Sequence, residues 1–240
     1  MSFEILGLIT ARGGSKTVPR KNIKELAGKP LLAYTIEEAR KTGLITRLVI
    51  STDCEEIATV AREYSCEVPF LRPSEFADDH VQDLPVFEHA LGWLREEEGY
   101  APDMIVHLRP TAPLRRVEHI EGAIETLISH PGADSVRSVC LAPKHPLKMW
   151  RIEEERLRSY IPAEVSGIKE SYNYPRQKLP EAYVQNGSVD VIRTATIAEK
   201  RSMSGDLMIP YLMDEEDSIN IDTFMDFKMA EILLGKRQVN

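Results

Sequence analysis

Positions 10–22 read TARGGSKTVPRKN, a stretch whose residue types suit the binding of an anion. Two adjacent glycines let the backbone approach a ligand closely and present N–H groups in a concave nest, a common way of holding phosphate. The surrounding cations, which can form charge-assisted hydrogen bonds, are Arg12, Lys16, Arg20 and Lys21. The stretch therefore predicts a phosphate-binding loop, with a solvated basic turn as the alternative.

The basic loop, as we call residues 10–22, lacks the spacing of the commonest nucleotide-binding loops. It contains neither GxxxxGKS nor GxxxxGKT, and GxGxxG occurs nowhere in the chain. It follows directly on the apolar run Ile5–Ile9, which predicts a buried strand. Ligands of parallel sheets bind at the carboxyl ends of the strands. This position favours the phosphate interpretation.

The elements that must position the basic loop alternate between strand and helix patterns. Strands are predicted at 3–11, 47–51, 68–71, 104–108, 135–142, 183–192 and 207–213. Helices are predicted at about 30–42, 54–64, 84–98, 117–129 and 223–234. This order predicts an α/β fold with a mostly parallel, doubly wound, Rossmann-like sheet. We expect a single domain over 1–240, with a polar, proline-containing insertion at about 143–180, which we call the arm.

Composition excludes several classes of protein. A net charge of −8 on 240 residues, with a sequence pI near 5.4, argues against a nucleic-acid binder, which needs a basic face. Three widely spaced cysteines, Cys54, Cys66 and Cys140, suit free thiols in a reducing compartment. The apolar start is short and flanked by Glu4 and Arg12, unlike a signal peptide or a membrane span. We therefore expect a cytoplasmic protein without a nucleic-acid or membrane partner.

A series of motifs then points to a family. The motifs are TARGGSKTVPRKNI with LAGKPLLAYTI, VISTD at 49–53, LRP at 71–73, LRPTAPLR at 108–115, HPLK at 145–148, PRQKLPEAYVQNG at 175–187 and DSINIDT at 217–223. In order and spacing, over nearly the whole chain, they resemble the acylneuraminate cytidylyltransferases, the CMP-sialic acid synthetase family. The resemblance implies a nucleotide-diphospho-sugar transferase type of sheet and a homodimer formed through the arm.

The resemblance also implies the reaction. CMP would pass from CTP to the anomeric hydroxyl of a nonulosonic acid, an acidic nine-carbon 2-keto-3-deoxy sugar, with release of pyrophosphate. Such a transfer asks for positioning and charge neutralisation rather than covalent chemistry, and the residues implied for this catalytic work are Arg12, Lys21 and Asp222. The residues implied for the nucleotide are Arg12, Gly13, Gly14, Ser15, Lys21, Asn22 and Arg72. Those implied for the sugar are Arg109, Lys148, Arg176, Gln177, Gln185 and Asn186.

Several of these positions carry a second interpretation. Arg109, where many family members have glutamine, could grip a sugar carboxylate or form a salt bridge with a neighbour. Arg72 could be a lone exposed arginine. Asp53 with Glu56 three residues on is interpreted as a helix cap with a capping box. His107, inside an apolar strand, is interpreted as a core residue.

The segment DSINIDT raises the question of a metal. The family commonly has two aspartates here, on one face of a strand, whereas this chain has Asn220 and Asp222. We expect Mg²⁺ or Mn²⁺ as cofactor, and Asp222 could suffice as its protein carboxylate, because Mg²⁺ often takes only one or two. Asp222 or Thr223 could equally cap the last helix.

Two alternative functions stay open at this point. A non-catalytic nucleotide-sugar binding or sensor protein of the same fold is suggested by Asn220, which removes one expected metal ligand. A cytidylyltransferase for a Kdo-type octulosonic acid is the other. The identity of the acidic sugar is not encoded in any motif that we recognise in the chain.

Overall fold

The computed structural model describes residues 3–239, and a six-stranded sheet forms its centre. The strands are β1 (Ile5–Thr10), β2 (Glu25–Leu26), β3 (Lys29–Pro30), β4 (Arg47–Ser51), β5 (Met104–Leu108), β6 (Ser135–Leu141), β7 (Trp150–Glu153), β8 (Arg156–Ser159), β9 (Tyr183–Arg193) and β10 (Met208–Leu212). The α-helices are α1 (Leu31–Lys41), α2 (Glu55–Glu63), α3 (Asp83–Glu98), α4 (Val117–Ser129), α5 (Ala163–Ser166), α6 (Thr194–Ala198) and α7 (Phe224–Val239). Short 3₁₀ turns lie at Lys21–Ile23, Ser74–Phe76, Pro146–Lys148, Ser171–Asn173, Arg176–Lys178 and Glu215–Asp217.

The central sheet has the strand order β10-β6-β9-β5-β1-β4. Its neighbours are parallel except at β9, which runs antiparallel to both β5 and β6. Most of β1 and all of β5 are buried, as expected of strands covered on both faces. The chain passes from β1 to β4 on one side and later to β5 on the other, so the strand order reverses at β1. A crevice at the carboxyl ends of these strands is the usual ligand site of such a sheet.

Helices cover both faces of the sheet. On one face, α1, α2 and α4 pack against the sheet, and the spacing of Leu32, Ile36 and Ala39 gives α1 its apolar stripe. On the other face, α3 contributes Phe87 and Leu94 to a second core cluster, joined by α6. Helix α7 packs against the amino-terminal part of α1. The predicted doubly wound α/β fold is therefore confirmed.

The prediction of a strand at 68–71 is wrong. Glu67 bridges to Val49 of β4: the Glu67 N–H donates to Leu48 O at 3.3 Å, and Glu67 O accepts from Ile50 N–H at 2.9 Å. In a parallel ladder the next donor would be residue 69, which is a proline without an N–H. The ladder therefore stops after one bridge, although Arg72 N–H later donates to Thr52 O at 2.7 Å.

The arm contains the antiparallel hairpin β7–β8, the single-turn helix α5 and several 3₁₀ turns. Its two ends are tied together by His145, whose Nδ1 accepts from Leu147 N–H at 3.1 Å and whose Nε2 donates to Pro180 O at 2.7 Å. Apolar side chains lie exposed on the arm, with Ile152 77% and Val165 76% accessible. Within residues 3–239, no helix combines the length and apolar character needed to cross a lipid bilayer.

Candidate active site

A cleft of about 440 Å³ opens at the carboxyl ends of β1, β4 and β5. The basic loop, which leaves β1, forms one wall, and residues 72–86 form another. Residues 109–111, which follow β5, and Asp222 complete the lining. The loop therefore lies where the sequence analysis expects a ligand.

Lys21 is held at the inner side of this cleft. Its Nζ donates to Ile221 O at 2.8 Å and lies 3.8 Å from Asp222 Oδ1. Burial lowers the pKa of Lys21, and the charge of Asp222 opposes this shift. Because an ammonium has three donors and one is used by Ile221, the others can bind an anion from a fixed position.

Arg72 is a buried guanidinium that lines the cleft. Its side chain is only 4% exposed, and within residues 3–239 neither Nε nor Nη2 has a hydrogen-bond partner. The carboxylate of Asp53 lies 3.9 Å from Nη2, and burial lowers the pKa of Arg72. Unpaired buried donors are costly, so this side chain is suited to a ligand that brings acceptor atoms. The interpretation of Arg72 as a lone exposed arginine is wrong.

Asp53 does not cap a helix, so this prediction is also wrong. Helix α2 begins after Cys54 without a side-chain cap, and Glu56 pairs with Arg20 instead. Asp53 Oδ1 accepts the N–H of Gly13 at 2.9 Å, because β1 and β4 are parallel neighbours and end side by side. The Gly13 N–H is therefore directed at Asp53 rather than offered to a phosphate, which differs from the predicted nest.

Other residues of the basic loop tie it together. The amide of Asn22 is buried, and its Nδ2 donates to Arg12 O at 2.9 Å. A Cβ on Gly13 would lie 3.0 Å from Cys54 Cβ, so a larger residue there would push the loop away from α2. The Ser15 N–H donates to Gly13 O at 3.1 Å, and Ser15 itself lines the cleft. These contacts give the loop a defined shape before any ligand binds.

Arg109 forms a salt bridge to two carboxylates. Its Nη1 lies 2.9 Å from Asp190 Oδ2, and its Nη2 lies 2.7 Å from Asp83 Oδ2. Asp190 is buried on β9, which pairs with β5 and brings the carboxylate to Arg109. Of the two interpretations, the structure favours the salt bridge. Sequence reasoning overlooked Asp83 and Asp190, although an aspartate inside the apolar run 189–192 was a usable signal.

Two other polar residues near the cleft are structural. Arg115 is fully buried, where it donates to Ser188 O and to Thr35 Oγ1, and burial lowers its pKa to about 9. His107 is fully buried as predicted, with Nε2 2.9 Å from Thr10 Oγ1, and burial holds its pKa well below the usual range. Arg115 therefore ties β9 to α1, and His107 ties β5 to the end of β1.

Most residues predicted to bind the sugar lie outside this cleft. Lys148 donates to Tyr172 O at 3.1 Å, and Arg176 donates to Ala142 O at 2.7 Å, so both bind the backbone of the arm and its base. Asn186 is buried, is hydrogen-bonded to Ser138 and Ser218 and does not line the cleft, so its assignment to the sugar stays a prediction. Arg176, Gln177 and Gln185 are exposed and do not line the cleft. In the single chain, only Arg109 of the predicted sugar residues lines the cleft.

The segment that carries Asn220 and Asp222 is a loop, not a strand. The Ile221 N–H donates to Thr111 O at 2.8 Å, and the side chain of Ile221 is buried. The side chains of Asn220 and Asp222 therefore point in other directions. Asp222 is 74% exposed at the cleft. Asn220 lies against Gly187, and its Oδ1 is buried without a partner within the described residues. The prediction that Asn220 and Asp222 project from one face of a strand is therefore wrong.

The cap of α7 is made by Thr223 and Asp226. Thr223 Oγ1 accepts from Asp226 N–H at 3.3 Å, and the Asp226 carboxylate accepts from Thr223 N–H at 2.8 Å. This is a capping-box arrangement in which the Asp222 carboxylate takes no part. Asp222 therefore keeps both carboxylate oxygens for the cleft.

Comparison with known proteins agrees with the geometry. The cytidylyltransferase family model matches residues 6–203. The CMP-N,N'-diacetyllegionaminic acid synthase of Campylobacter jejuni is 32% identical over 99% of this chain and 97% of its own length. The N-acylneuraminate cytidylyltransferase of Escherichia coli is 30% identical over 99% of this chain, which spans 54% of that longer protein.

A solved structure supports the fold. The structure of CMP:2-keto-3-deoxy-manno-octonic acid synthetase complexed with CTP superposes with a TM-score of 0.71 at 12% identity, over 98% of this chain and 99% of that one. At this level of identity the likeness is one of architecture alone.

Proposed function

Because the chain belongs to the cytidylyltransferase family, we propose that it transfers CMP from CTP to the anomeric hydroxyl of a nonulosonic acid and releases pyrophosphate. The observation that carries the proposal is the convergence of Arg12, Lys21 and Arg72 on one cleft at the carboxyl ends of the strands. The names of the relatives, which act on legionaminic and N-acylneuraminic acids, support the acidic nine-carbon acceptor.

The proposed reaction is an in-line displacement at the α-phosphate. The anomeric oxygen forms a new bond to phosphorus, the bond to the pyrophosphate oxygen breaks, and the hydroxyl proton passes to solvent water. Lys21, fixed by Ile221 O, would neutralise charge on the phosphoryl oxygens, with Arg12 and Ser15 along the triphosphate. Arg72 would donate its unpartnered N–H groups to the nucleotide.

Mg²⁺ or Mn²⁺ is proposed as the cofactor, with Asp222 as its protein ligand. The described residues contain no cluster of three or more His, Cys, Asp or Glu suited to a metal, but Mg²⁺ often binds through one carboxylate and substrate phosphates. The exposed carboxylate of Asp222 fits this role, whereas Asn220, turned toward Gly187, does not. When bound, the ion would supply positive charge to the phosphates.

A pyrophosphate-release assay tests the reaction. The purified protein is incubated with CTP, Mg²⁺ and one acid at a time from a panel of N-acetylneuraminic, legionaminic, pseudaminic and Kdo acids. We expect release that requires both CTP and a nine-carbon acid. Release with Kdo alone would support the octulosonic alternative. CTP binding without release for any acid would support a nucleotide-sugar binding or sensor protein.

We also propose a cytoplasmic homodimer in which the arm packs against the partner and offers Arg176 to the partner's sugar site. Exposed apolar side chains on the hairpin, Ile152 and Leu157 among them, support an interface there. The position of the predicted sugar residues outside the cleft of their own chain supports a site completed by a second copy. The three free cysteines fit a reducing compartment.

Sedimentation velocity at micromolar concentration is expected to show a dimer. Ile152 and Leu157 are cross-strand partners on one face of the hairpin, so the double variant Ile152→Glu/Leu157→Glu should dissociate it and lower turnover. Arg158→Glu, at a position whose side chain alternates to the other face, is the matched control and should stay dimeric. A fully active wild-type monomer would contradict the dimer.

A further inference from the structure

The carboxylate of Asp79 bridges two cations of the basic loop. Its Oδ1 lies 2.7 Å from Arg12 Nη1, and its Oδ2 contacts Lys16 Nζ. The Asp79 side chain is 21% exposed, and all three residues line the cleft. The ion pairs thus join two walls of the cleft across its interior.

This carboxylate competes for the cations that the proposed function assigns to CTP. Arg12 is one of the proposed triphosphate contacts, and Lys16 is on the same loop. Contact with Lys16, followed by contact with Arg12, lowers the pKa of Asp79, and contact with Asp79 raises the pKa of Lys16. Asp79 and Lys16 are therefore both charged at neutral pH, and a phosphate must compete with the carboxylate for the Arg12 and Lys16 N–H groups that it occupies.

The position of Asp79 allows its side chain to move away from Arg12 and Lys16. It lies in a connection between the 3₁₀ turn Ser74–Phe76 and α3, outside any regular element. Its own N–H is bonded locally, to Asp78 Oδ1 at 2.6 Å. Displacement of the side chain would break no helix or sheet hydrogen bond.

We propose that Asp79 is an internal counterion of the triphosphate site, which a polyphosphate displaces and which pairs with Arg12 and Lys16 again when pyrophosphate leaves. The inference rests on the proposed function and deepens it. A polyphosphate brings several charges to both cations and exchanges for the carboxylate, whereas CMP lacks the β- and γ-phosphates that would reach them. Asp79 would therefore weaken the binding of CTP and pyrophosphate more than that of CMP, and assist the release of pyrophosphate.

Isothermal titration calorimetry of three proteins tests this inference. Wild type, Asp79→Asn and Glu75→Gln are each titrated with CTP, pyrophosphate and CMP. Asp79→Asn should bind CTP and pyrophosphate about two- to tenfold more tightly, which corresponds to the loss of one or two exposed ion pairs. CMP affinity should change less. Glu75→Gln is the matched control, since Glu75 lies in the neighbouring 3₁₀ turn, does not line the cleft and makes no ion pair within residues 3–239, so its affinities should stay within about twofold of wild type.

Turnover gives a second readout. In Asp79→Asn, inhibition by added pyrophosphate should set in at concentrations about two- to tenfold lower than in wild type. Unchanged or weaker binding of CTP and pyrophosphate by Asp79→Asn would overturn the inference, as would an equal gain in Glu75→Gln. Failure of wild type to bind CTP would contradict the proposed function instead, and the pyrophosphate titration would still decide the role of Asp79.

Discussion

Lys21→Ala is expected to lower turnover about 10- to 150-fold, the equivalent of the roughly 1.5–3 kcal/mol attributed to a hydrogen bond with a charged group. The physical reason is its position. The Lys21 ammonium is fixed by Ile221 O beside Asp222, so it neutralises phosphate charge without reorganising. Arg12→Ala should lower turnover by a similar factor. The measurement is kcat for pyrophosphate release with saturating CTP and sugar acid.

The control for Lys21→Ala is Arg20→Ala. Arg20 is the preceding residue of the same loop, but it pairs with Glu56 and does not line the cleft, so its loss should change turnover little. Thermal melts of all three variants check that the fold is retained. Wild-type turnover in both Lys21→Ala and Arg12→Ala would contradict the assignment of the cleft to the triphosphate.

Asp222→Asn is expected to lower turnover on the order of 100-fold at a fixed Mg²⁺ concentration, because a metal ion contributes several kcal/mol of charge stabilisation and an amide binds it poorly. The Asp222 carboxylate is exposed at the cleft and takes no part in the cap of α7, so the change should leave the stability of the helix intact. Turnover measured as a function of Mg²⁺ and Mn²⁺ concentration should show a higher metal requirement for the variant.

Asn220→Ala is the matched comparison, two residues away on the same loop. Asn220 lies against Gly187 and does not line the cleft, so the metal requirement of Asn220→Ala should equal that of wild type. Loss of turnover in Asp222→Asn with an unchanged metal requirement would indicate that Asp222 acts only on Lys21, 3.8 Å away. Full activity of Asp222→Asn at the wild-type metal optimum would refute both roles.

The local sequence pattern predicts most of the long helices and strands. The sequence predicts α4 at 117–129 and β4 at 47–51, and the structure has the same bounds, because apolar periodicity and the flanking turn residues act over a few neighbours. The wrong strand predictions have local causes that the apolar pattern does not show. The apolar run at 68–71 resembles a strand, but Pro69 lacks the N–H that the ladder needs next. The strand that the family resemblance implies at Asn220 and Asp222 is a loop in the described residues, where the Ile221 N–H donates to Thr111 O, beyond the end of β5.

By itself, the sequence determined the order and type of most of the long elements and the position of the basic loop at the end of β1. Only the tertiary structure decided which charges meet. Gly13 is hydrogen-bonded to Asp53, which is 40 residues away along the chain. Arg109 is bonded to Asp190 across 81 residues, and Lys21 to Ile221 across 200 residues. Strand order brings these groups together, since β4 ends beside β1 and β9 enters antiparallel beside β5. One-dimensional periodicity carries information about which face is buried, but not about which carboxylate lies opposite which cation.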